Sequence, residues 1–316
     1  MKGRGGNDFY ADLQSDIVDE FGGLLGVSPA PVLHHYTTAS GLLGIVDSSS
    51  LFLSDAEFLN DQSELTYARG IVGDVLRRAA IPDDADIQKM IRAVIDNFED
   101  PHSEALVPVR FYLASFCEDG NLLSQWRAYA ASGAGYALGF HGQELANAAW
   151  QADTTKGVQL RKVVYNPEEQ ASIVERIVNL FLARAVRPQY RANGIKPLAR
   201  MASSFSLVLS AFTPIIKHPL FQEEREWRLI YTVIAGRTPF PIQVRAVGRH
   251  LVPYLSIRLL VDKGSRKGKL PLLQIAHGPT LEPAMQKSSI RQLLAACSYS
   301  EEAVAVCGSD IPLRVG

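Results

Sequence analysis

The chain has 316 residues, enough to bury a large core in one big domain or in two closely packed ones. Its hydrophobic content of 47%, charged content of 21% and net charge of -1 are those of an ordinary globular protein and give no support for a broad nucleic-acid surface. No uncharged apolar run reaches membrane-spanning length, and three scattered cysteines favour a reducing compartment, so we expect a cytoplasmic protein without a membrane partner.

The first half of the chain mixes helical and strand patterns. Hydrophobic periodicity and capping residues predict helices, and short β-branched or aromatic runs predict strands. The predicted helices are 9–25, one through 42–46, most of 61–98 with a break near Pro82, and 122–131, and the predicted strands are 32–36, 51–53, 109–117, 135–140 and 158–165.

The second half begins with a helical block and ends in strands. The predicted helices are 167–212, divided around 188–197, and 283–297, and the predicted strands are 227–233, 241–246, 255–260, 272–277 and 303–307. Because strands and helices do not alternate regularly, we predict an α+β fold with a mixed, largely antiparallel central sheet and flanking helices. We expect an N-terminal helical segment, 1–28, and a single domain, 29–316, with a helical insertion around 167–212.

The most informative stretch runs from Lys217 to Tyr231. Its end alternates large apolar residues with Glu226 and Arg228, the period-two pattern of a strand. We expect Glu226 and Arg228 to share one face and Glu224 to extend the same row. A carboxylate on a rigid strand beside an arginine suits electrostatic work on a substrate. The alternative is that the two residues simply pair with each other.

Short motifs also occur in an informative order. They are His35-Tyr36-Thr37, Asn60-Asp61, Ser115-Phe116, Gln125-Trp126-Arg127-Ala128-Tyr129 and Glu224-Arg225-Glu226-Trp227-Arg228. In this order they resemble the bacterial domain-of-unknown-function family 2971, over most of the chain from Leu33 to Arg314. Two positions depart from the pattern, with Gln62 in place of a proline and Cys117 in place of the commoner serine. The resemblance implies kinship and not a defined activity.

A more distant resemblance is to ADP-ribosyltransferases, which bind NAD without a Rossmann glycine fingerprint. In those enzymes a first-strand His or Arg, a central Ser or Tyr and a late glutamate occur in the order of His35, Ser115 and Glu226 here. The resemblance implies that His35 positions NAD, Ser115 holds the nicotinamide-side ribose and Glu226 stabilises the transition state. Glu224 would then orient or deprotonate an acceptor. About 110 residues separate Ser115 from Glu226, so the helical block would have to be peripheral.

The remaining candidates complete a dinucleotide site. Aromatic rings at Tyr36, Trp126 or Tyr129 could stack on nicotinamide or adenine, and Arg228 could contact the pyrophosphate. Core packing is the ordinary alternative for Trp126 and Tyr129, which lie three residues apart on a helix, and hydrogen-bonded packing is the alternative for His35. The favoured hypothesis is NAD-dependent ADP-ribosyl transfer or NAD cleavage, with NAD as substrate, no metal and an unknown acceptor, in a toxin or phage-defence setting.

Two other functions stay open. The carboxylates of Asp55, Glu57, Asp61 and Glu64 follow His35 in sequence, and a magnesium-dependent nuclease could use such groups. A non-catalytic defence module could instead use the same polar residues to sense a ligand or bind a partner without turnover. Such a module would be stabilised by its ligand but would form no product.

Overall fold

The computed structural model has an α+β fold with a branched, largely antiparallel sheet, which confirms the predicted class. The described residues are 9–58, 62–100, 106, 108–153, 158–190, 195–247, 249–262, 264, 266–279, 282–300 and 302–312.

Nine α-helices are assigned within these described residues. They are α1 (Phe9–Leu25), α2 (Ala39–Ser48), α3 (Gln62–Arg78), α4 (Ala85–Glu99), α5 (Leu123–Tyr129), α6 (Gly142–Ala152), α7 (Pro167–Ala185), α8 (Ile195–Phe212) and α9 (Pro283–Ala296). Short 3-10 turns occupy Ala56–Phe58, Ala131–Gly133, Pro188–Tyr190, Thr213–Ile215 and Pro219–Glu224.

The strands of the described residues form one sheet. They are β1 (Val32–Thr37), β2 (Ser50–Asp55), β3 (Val109–Cys117), β4 (Tyr136–His141), β5 (Gln159–Lys162), β6 (Glu226–Ile234), β7 (Ile242–Val247), β8 (His250–Arg258), β9 (Leu272–His277) and β10 (Ala305–Gly308). The order β10-β9-β4-β1-β3-β2-β8-β7 describes the main path, and among these assigned strands only the β10–β9 pair is parallel.

The sheet branches at β3. Its final residue, Cys117, pairs with β1, whereas its earlier residues Leu113 and Tyr112 pair with β2. On the opposite edge, β6 pairs with β3 along its whole length and carries β5 beyond it. The central strand therefore holds three different strands, and the ends of β1, β3 and β6 meet in one place.

Helices cover both faces of the sheet. One core cluster joins the first face to α1, α3, α4, α7 and α8, and includes Phe111 and Leu113 of β3. The other joins Tyr112, Ala114 and Phe116 of β3 to α2, α6 and α9. The alternation of these residues along β3 is the strand pattern expected when both faces are buried.

Most predicted elements are confirmed, and the exceptions have local causes. The helix α6 was not predicted, because its N-terminus is capped by an unusual residue: the His141 ring accepts a hydrogen bond from the Glu144 backbone N–H. The strand predicted over 158–165 is shorter, since it ends at Lys162 before the chain turns toward the proline that begins α7.

The helical block around 167–212 is part of the core. In α7 and α8, Phe181 and Phe205 stack with ring centroids 3.9 Å apart. Residues 198–215 are long and apolar enough to span a membrane by composition, but 61% of this window is buried inside the fold. Burial of this extent is that of a helix packed in the core of the fold.

The N-terminal helix α1 shares that core. Its Leu13 is completely buried, and Asp16 accepts a hydrogen bond from the buried Arg184 of α7 at 2.6 Å. The division of the chain at residue 28 stays a prediction, but these contacts join α1 to the helical block.

Replacing Leu13 by Ala should lower the free energy of unfolding by about 2–5 kcal/mol, because it opens a cavity beneath α7 and α8. Urea unfolding followed by circular dichroism measures the change. The matched control is Val18→Ala, on the same helix but 60% exposed, which should change stability by about 0.5 kcal/mol or less. Equal effects of the two substitutions would show that α1 does not contribute to the core.

Candidate functional site

Backbone pairing aligns polar residues across the strands that meet at β3. Cys117 of β3 pairs with Glu226 of β6 and with His34 of β1. Directly paired residues project their side chains on the same face of a sheet. His34, Cys117 and Glu226 therefore form one row across three neighbouring strands.

The row continues into the next two strands. His34 pairs with Gly139 of β4, and Gly139 pairs with Gln274 of β9. A Cβ on Gly139 would lie 2.6 Å from the Gln274 Cγ and 3.2 Å from the His34 Cδ2. Glycine thus lets the Gln274 side chain cross β4, and its Nε2 lies 3.0 Å from the His34 Nε2. We call Glu226, Cys117, His34 and Gln274 the polar row.

A buried cluster of charges surrounds the β6 end of this row. The Lys217 ammonium lies 2.9 Å from Glu64, 2.6 Å from Glu224 and 2.9 Å from Glu226. Arg228 completes the group, which we call the charge cluster. Its three carboxylates and two cations sum to a net charge of -1 when all five groups are ionised.

Arg228 is committed to its neighbours. Its Nε donates to Glu226 at 2.7 Å, its Nη1 donates to the Pro214 carbonyl at 2.8 Å, and its Nη2 donates to Glu226 and Glu64. The residue is 3% exposed. Glu226 and Arg228 share a face as expected, and they also pair with each other, as the alternative interpretation of this strand predicted.

Glu224 does not extend the strand, so that expectation was wrong. The segment Pro219–Glu224 forms a 3-10 turn, and Arg225 then takes a left-handed conformation with φ of 41° before β6 begins at Glu226. This reversal turns the chain so that Glu224 still reaches Lys217. Glu224 retains partial exposure, with 12% of its side chain accessible.

Within the charge cluster, the pKa values of Glu226 and Glu224 are shifted in opposite directions. Burial alone would raise the pKa of Glu226, but Arg228, Lys217 and hydrogen bonds from Arg228 and Ser115 hold it at about 2. Burial raises the pKa of Glu224, and Lys217 only partly opposes that shift. Glu226 is therefore fixed as an anion, whereas Glu224 is the carboxyl more suited to exchanging a proton.

Ser115 and Tyr129 lie beside the cluster on accessible surface. Ser115 is exposed, pairs with Arg228 across the sheet, and directs its hydroxyl to Glu226. Tyr129 is 41% exposed, and burial raises the pKa of its hydroxyl to about 12 with a further contribution from Glu224. These two predicted residues share one neighbourhood with Glu226.

His35 occupies a different position from the one its predicted role requires. Alternation along β1 puts it on the face opposite His34, and its ring contacts Phe116 at a centroid distance of 5.6 Å. Its Nδ1 lies 2.9 Å from the Ser115 carbonyl, in the gap where β1 and β2 diverge from β3. This geometry favours His34 over His35 as the histidine of the site.

Tyr36 and Trp126 are buried and pack against each other. Their rings meet edge to face at 5.0 Å, and Trp126 is completely buried. The Tyr36 hydroxyl donates to the Asp119 carbonyl at 2.9 Å, and the Trp126 indole donates to Asn121 at 3.0 Å. Neither ring is available for stacking on a ligand in this conformation, so Tyr129 is the accessible aromatic of the three.

The carboxylates of the nuclease hypothesis lie in two separate places. Asp55 is completely buried and pairs with Arg110 at 2.9 Å, near the start of β3. Glu64 instead contacts Lys217 near the other end of that strand, where the ammonium occupies the position between carboxylates that a metal would take. Asp61 lies outside the described residues. No group of three His, Cys, Asp or Glu side chains is placed to hold a metal within the described ranges.

Sequence reasoning missed Lys217, His34 and Gln274 as site residues, and it considered Glu64 only as a carboxylate of a metal-dependent nuclease. Lys217 stood at the start of the most informative stretch but was treated as part of a charged run. Gln274 carried no local signal, because its role depends on a glycine in a neighbouring strand more than 130 residues away in sequence.

Replacing Lys217 by Met should lower the free energy of unfolding by about 3–5 kcal/mol, because three carboxylates then face Arg228 alone. Urea unfolding measures this change. Lys162→Met is the matched control: its ion pair with Glu118 is half exposed and should contribute less than about 1 kcal/mol. An equally small effect of both substitutions would mean that the cluster does not stabilise the fold.

The stability contribution of Glu226 should depend on pH. Its folded pKa lies below the value of about 4.3 for a free glutamate, so its contribution is present above that pH and is lost as pH falls toward 2. Between about pH 5 and about pH 3.5 the stability difference between wild type and Glu226→Gln should shrink by about 1 kcal/mol. Urea unfolding at both pH values checks this, and parallel pH dependences would contradict it.

Comparison with known protein families gives a match. The model of the family described as "Protein of unknown function (DUF2971)" matches residues 125–229, about a third of the chain, from α5 to the middle of β6. The match contains Lys217, Glu224, Glu226 and Arg228 of the charge cluster. No curated protein and no solved structure matches the chain. The similarity supports a relationship to the DUF2971 family, whose description assigns no activity.

Proposed function

We propose that the protein cleaves the nicotinamide glycosidic bond of NAD, with transfer of the ADP-ribosyl group to water or to an acceptor. The observation that carries the proposal is a preformed, net-negative charge cluster at the end of an aligned polar row. Such a site is suited to stabilising positive charge that develops in a transition state.

The electrostatic contribution would come from groups that are already fixed. Glu226 stays ionised because its pKa is about 2, and it is held from two sides by Lys217 and Arg228. The net negative charge reaches the surface at Glu64 and Glu224, whose side chains are 15% and 12% exposed. A preorganised anion requires no reorganisation when the substrate acquires charge.

The bond changes can be assigned to specific atoms. The C1′–N bond to nicotinamide breaks, and its electron pair leaves with the nicotinamide ring. The resulting oxocarbenium-like ribose is stabilised by the net negative cluster. A lone pair of water or of an acceptor then bonds to C1′, and the released proton passes to Glu224, whose raised pKa fits the role of a general base.

The neighbouring residues take roles that follow from their exposure. Tyr129 is the accessible ring for stacking on nicotinamide, and the exposed Ser115 hydroxyl, which donates to Glu226, would accept a hydrogen bond from the ribose. Each of the three guanidinium nitrogens of Arg228 already donates a hydrogen bond within the protein. Arg225 is therefore the better candidate to bind the pyrophosphate. Its side chain is 52% exposed and makes a long contact of 3.4 Å with Asp119.

Burial of Glu226 favours one alternative, ligand sensing without turnover. The carboxylate is only 3% exposed, and Lys217 and Arg228 occupy its oxygens. A dinucleotide could dock on the exposed rim without reaching it. In that case NAD would raise the melting temperature in a saturable way, and no nicotinamide would be released.

The test is nicotinamide release from NAD by the purified protein, measured by chromatography with and without a cell lysate as acceptor source. Glu226→Gln should reduce the rate about 100- to 1,000-fold, because an electrostatic contributor is lost while size is kept. Glu224→Gln should also reduce it, through loss of the proton acceptor. Circular dichroism and urea unfolding establish that each variant is folded.

Glu144→Gln is the matched control, since it removes a carboxylate from the ion pair with Arg266, away from the cluster. It should leave the rate unchanged. Absence of nicotinamide release by the wild type under all these conditions would overturn the proposal, and undiminished release by Glu226→Gln would overturn the role of that residue.

A further inference from the structure

A groove of about 350 Å³ lies beside the polar row, on the side away from the charge cluster. Its walls come from β1, β9, the turn after β3, the end of β10 and the residue after β10. The residues used below are His34, Asp119, Asn121, Gln274 and Ser309, which all line it. Its volume is in the range of sites that hold small organic ligands.

Gln274 is fixed in this groove by His34. The His34 ring is 93% covered, and burial lowers its pKa despite the nearby Asp119, so the ring is neutral at neutral pH. A neutral ring can accept a hydrogen bond at Nε2 from the Gln274 amide, 3.0 Å away. With the ring proton on Nδ1, the Gln274 Nε2–H donates to His34, and this contact orients the carboxamide with its oxygen toward the groove.

The rest of the carboxamide remains available. Among the described residues, the structure shows no hydrogen bond to Gln274 other than the one with His34. One amide N–H and the carbonyl oxygen are therefore presented together to the groove. An adjacent donor and acceptor on a fixed carboxamide match a ligand edge with the complementary pair.

The position of His34 is itself tightly defined. A Cβ on Gly120 would lie 2.6 Å from the imidazole ring, and a Cβ on Gly139 would lie 3.2 Å from it. Two glycines thus let backbone pack against the ring from the loop and from β4. The imidazole that orients Gln274 is consequently held by backbone and not only by side chains.

The charges of the groove favour an uncharged ring. Within the part of the chain that the structure describes, its lining includes the Asp119 carboxylate but no lysine or arginine. A phosphate would meet a carboxylate and a neutral histidine there, which is unfavourable. Arg225 lies outside the lining and contacts Asp119 at 3.4 Å.

The segment after β10 closes one wall. The Ser309 hydroxyl donates to the Asn121 Oδ1 at 2.6 Å, and the Asn121 Nδ2 donates to Asp310. The same Asn121 Oδ1 accepts the Trp126 indole N–H. These contacts fasten the C-terminal segment to the turn after β3, so the groove has built walls on both sides.

We propose that this groove binds an adenine-type base, with Gln274 as the residue that recognises it. A glutamine carboxamide pairs with the N6 amine and N7 of adenine through one acceptor and one donor. Gln274 presents that pair, and a lining whose only charged side chain among the described residues is Asp119 accepts an uncharged heterocycle. A phosphate attached to the base through ribose would leave the groove toward Arg225.

The assignment deepens the proposed function and rests on it for identifying the base as part of a dinucleotide. The two remain separable, because base binding needs Gln274 whereas bond cleavage needs the charge cluster. Adenosine alone, which has no nicotinamide, tests the groove without any turnover.

The experiment is calorimetric titration of the full chain with adenosine, with inosine as the analogue. We expect saturable adenosine binding. The affinity for inosine should be lower by about tenfold or more, because its O6 places an acceptor where adenosine has the N6 donor. Gln274→Leu should reduce adenosine affinity by about tenfold or more. Gln286→Leu, which removes an amide that contacts Tyr136 outside the groove, should bind as the wild type does.

Each outcome decides the assignment. No adenosine binding, equal binding of adenosine and inosine, or unchanged binding by Gln274→Leu overturns it. Adenosine binding with this pattern, but without nicotinamide release from NAD, supports the groove and rejects the cleavage activity. Nicotinamide release without adenosine binding supports the cleavage activity and rejects the groove as a base-binding site. Urea unfolding of Gln274→Leu separates lost affinity from lost fold.

Discussion

The burial of Lys217 among three carboxylates is the interaction on which the rest of the site depends. An ammonium with almost no exposure is tolerable only if its charge is compensated at close range, which Glu64, Glu224 and Glu226 achieve from three different elements. The same contacts connect α3, the turn before β6 and β6 itself. Because the carboxylates outnumber the cations, the cluster keeps a net negative charge after it has stabilised the fold.

The branching of the sheet at β3 explains why polar groups collect here. Where β1 and β2 separate from one edge of β3, backbone groups lose their regular partners, and His35 satisfies one of them by approaching the Ser115 carbonyl. On the opposite face, the aligned ends of β1, β3 and β6 bring His34, Cys117 and Glu226 together. A structural histidine and a candidate functional histidine thus arise from adjacent positions of one strand.

Periodicity predicted most elements of this fold, because α7, α8, β3 and β6 have patterns that their burial requires. It also placed Glu226 and Arg228 on one face. The position of Glu224 depends on the left-handed conformation of Arg225. The sequence does not predict this conformation, because non-glycine residues seldom adopt it. Choosing His34 over His35 required knowledge of the register of two strand pairs. Predicting the contact between Gln274 and His34 required knowledge that a glycine lies between them in a third strand. Such long-range pairings are outside what local patterns encode.

Burial makes Glu226 unusual among candidate catalytic carboxylates. Its charge can act on a bound ligand electrostatically across a distance. Direct contact between its carboxylate and a ligand would require Lys217 to move. Glu224 has the opposite character, since it is more exposed and its pKa is raised. Two carboxylates two residues apart have therefore been given different environments, one that fixes charge and one that permits proton exchange. That division is what an acid–base site requires, whereas a purely structural ion-pair network has no need of it.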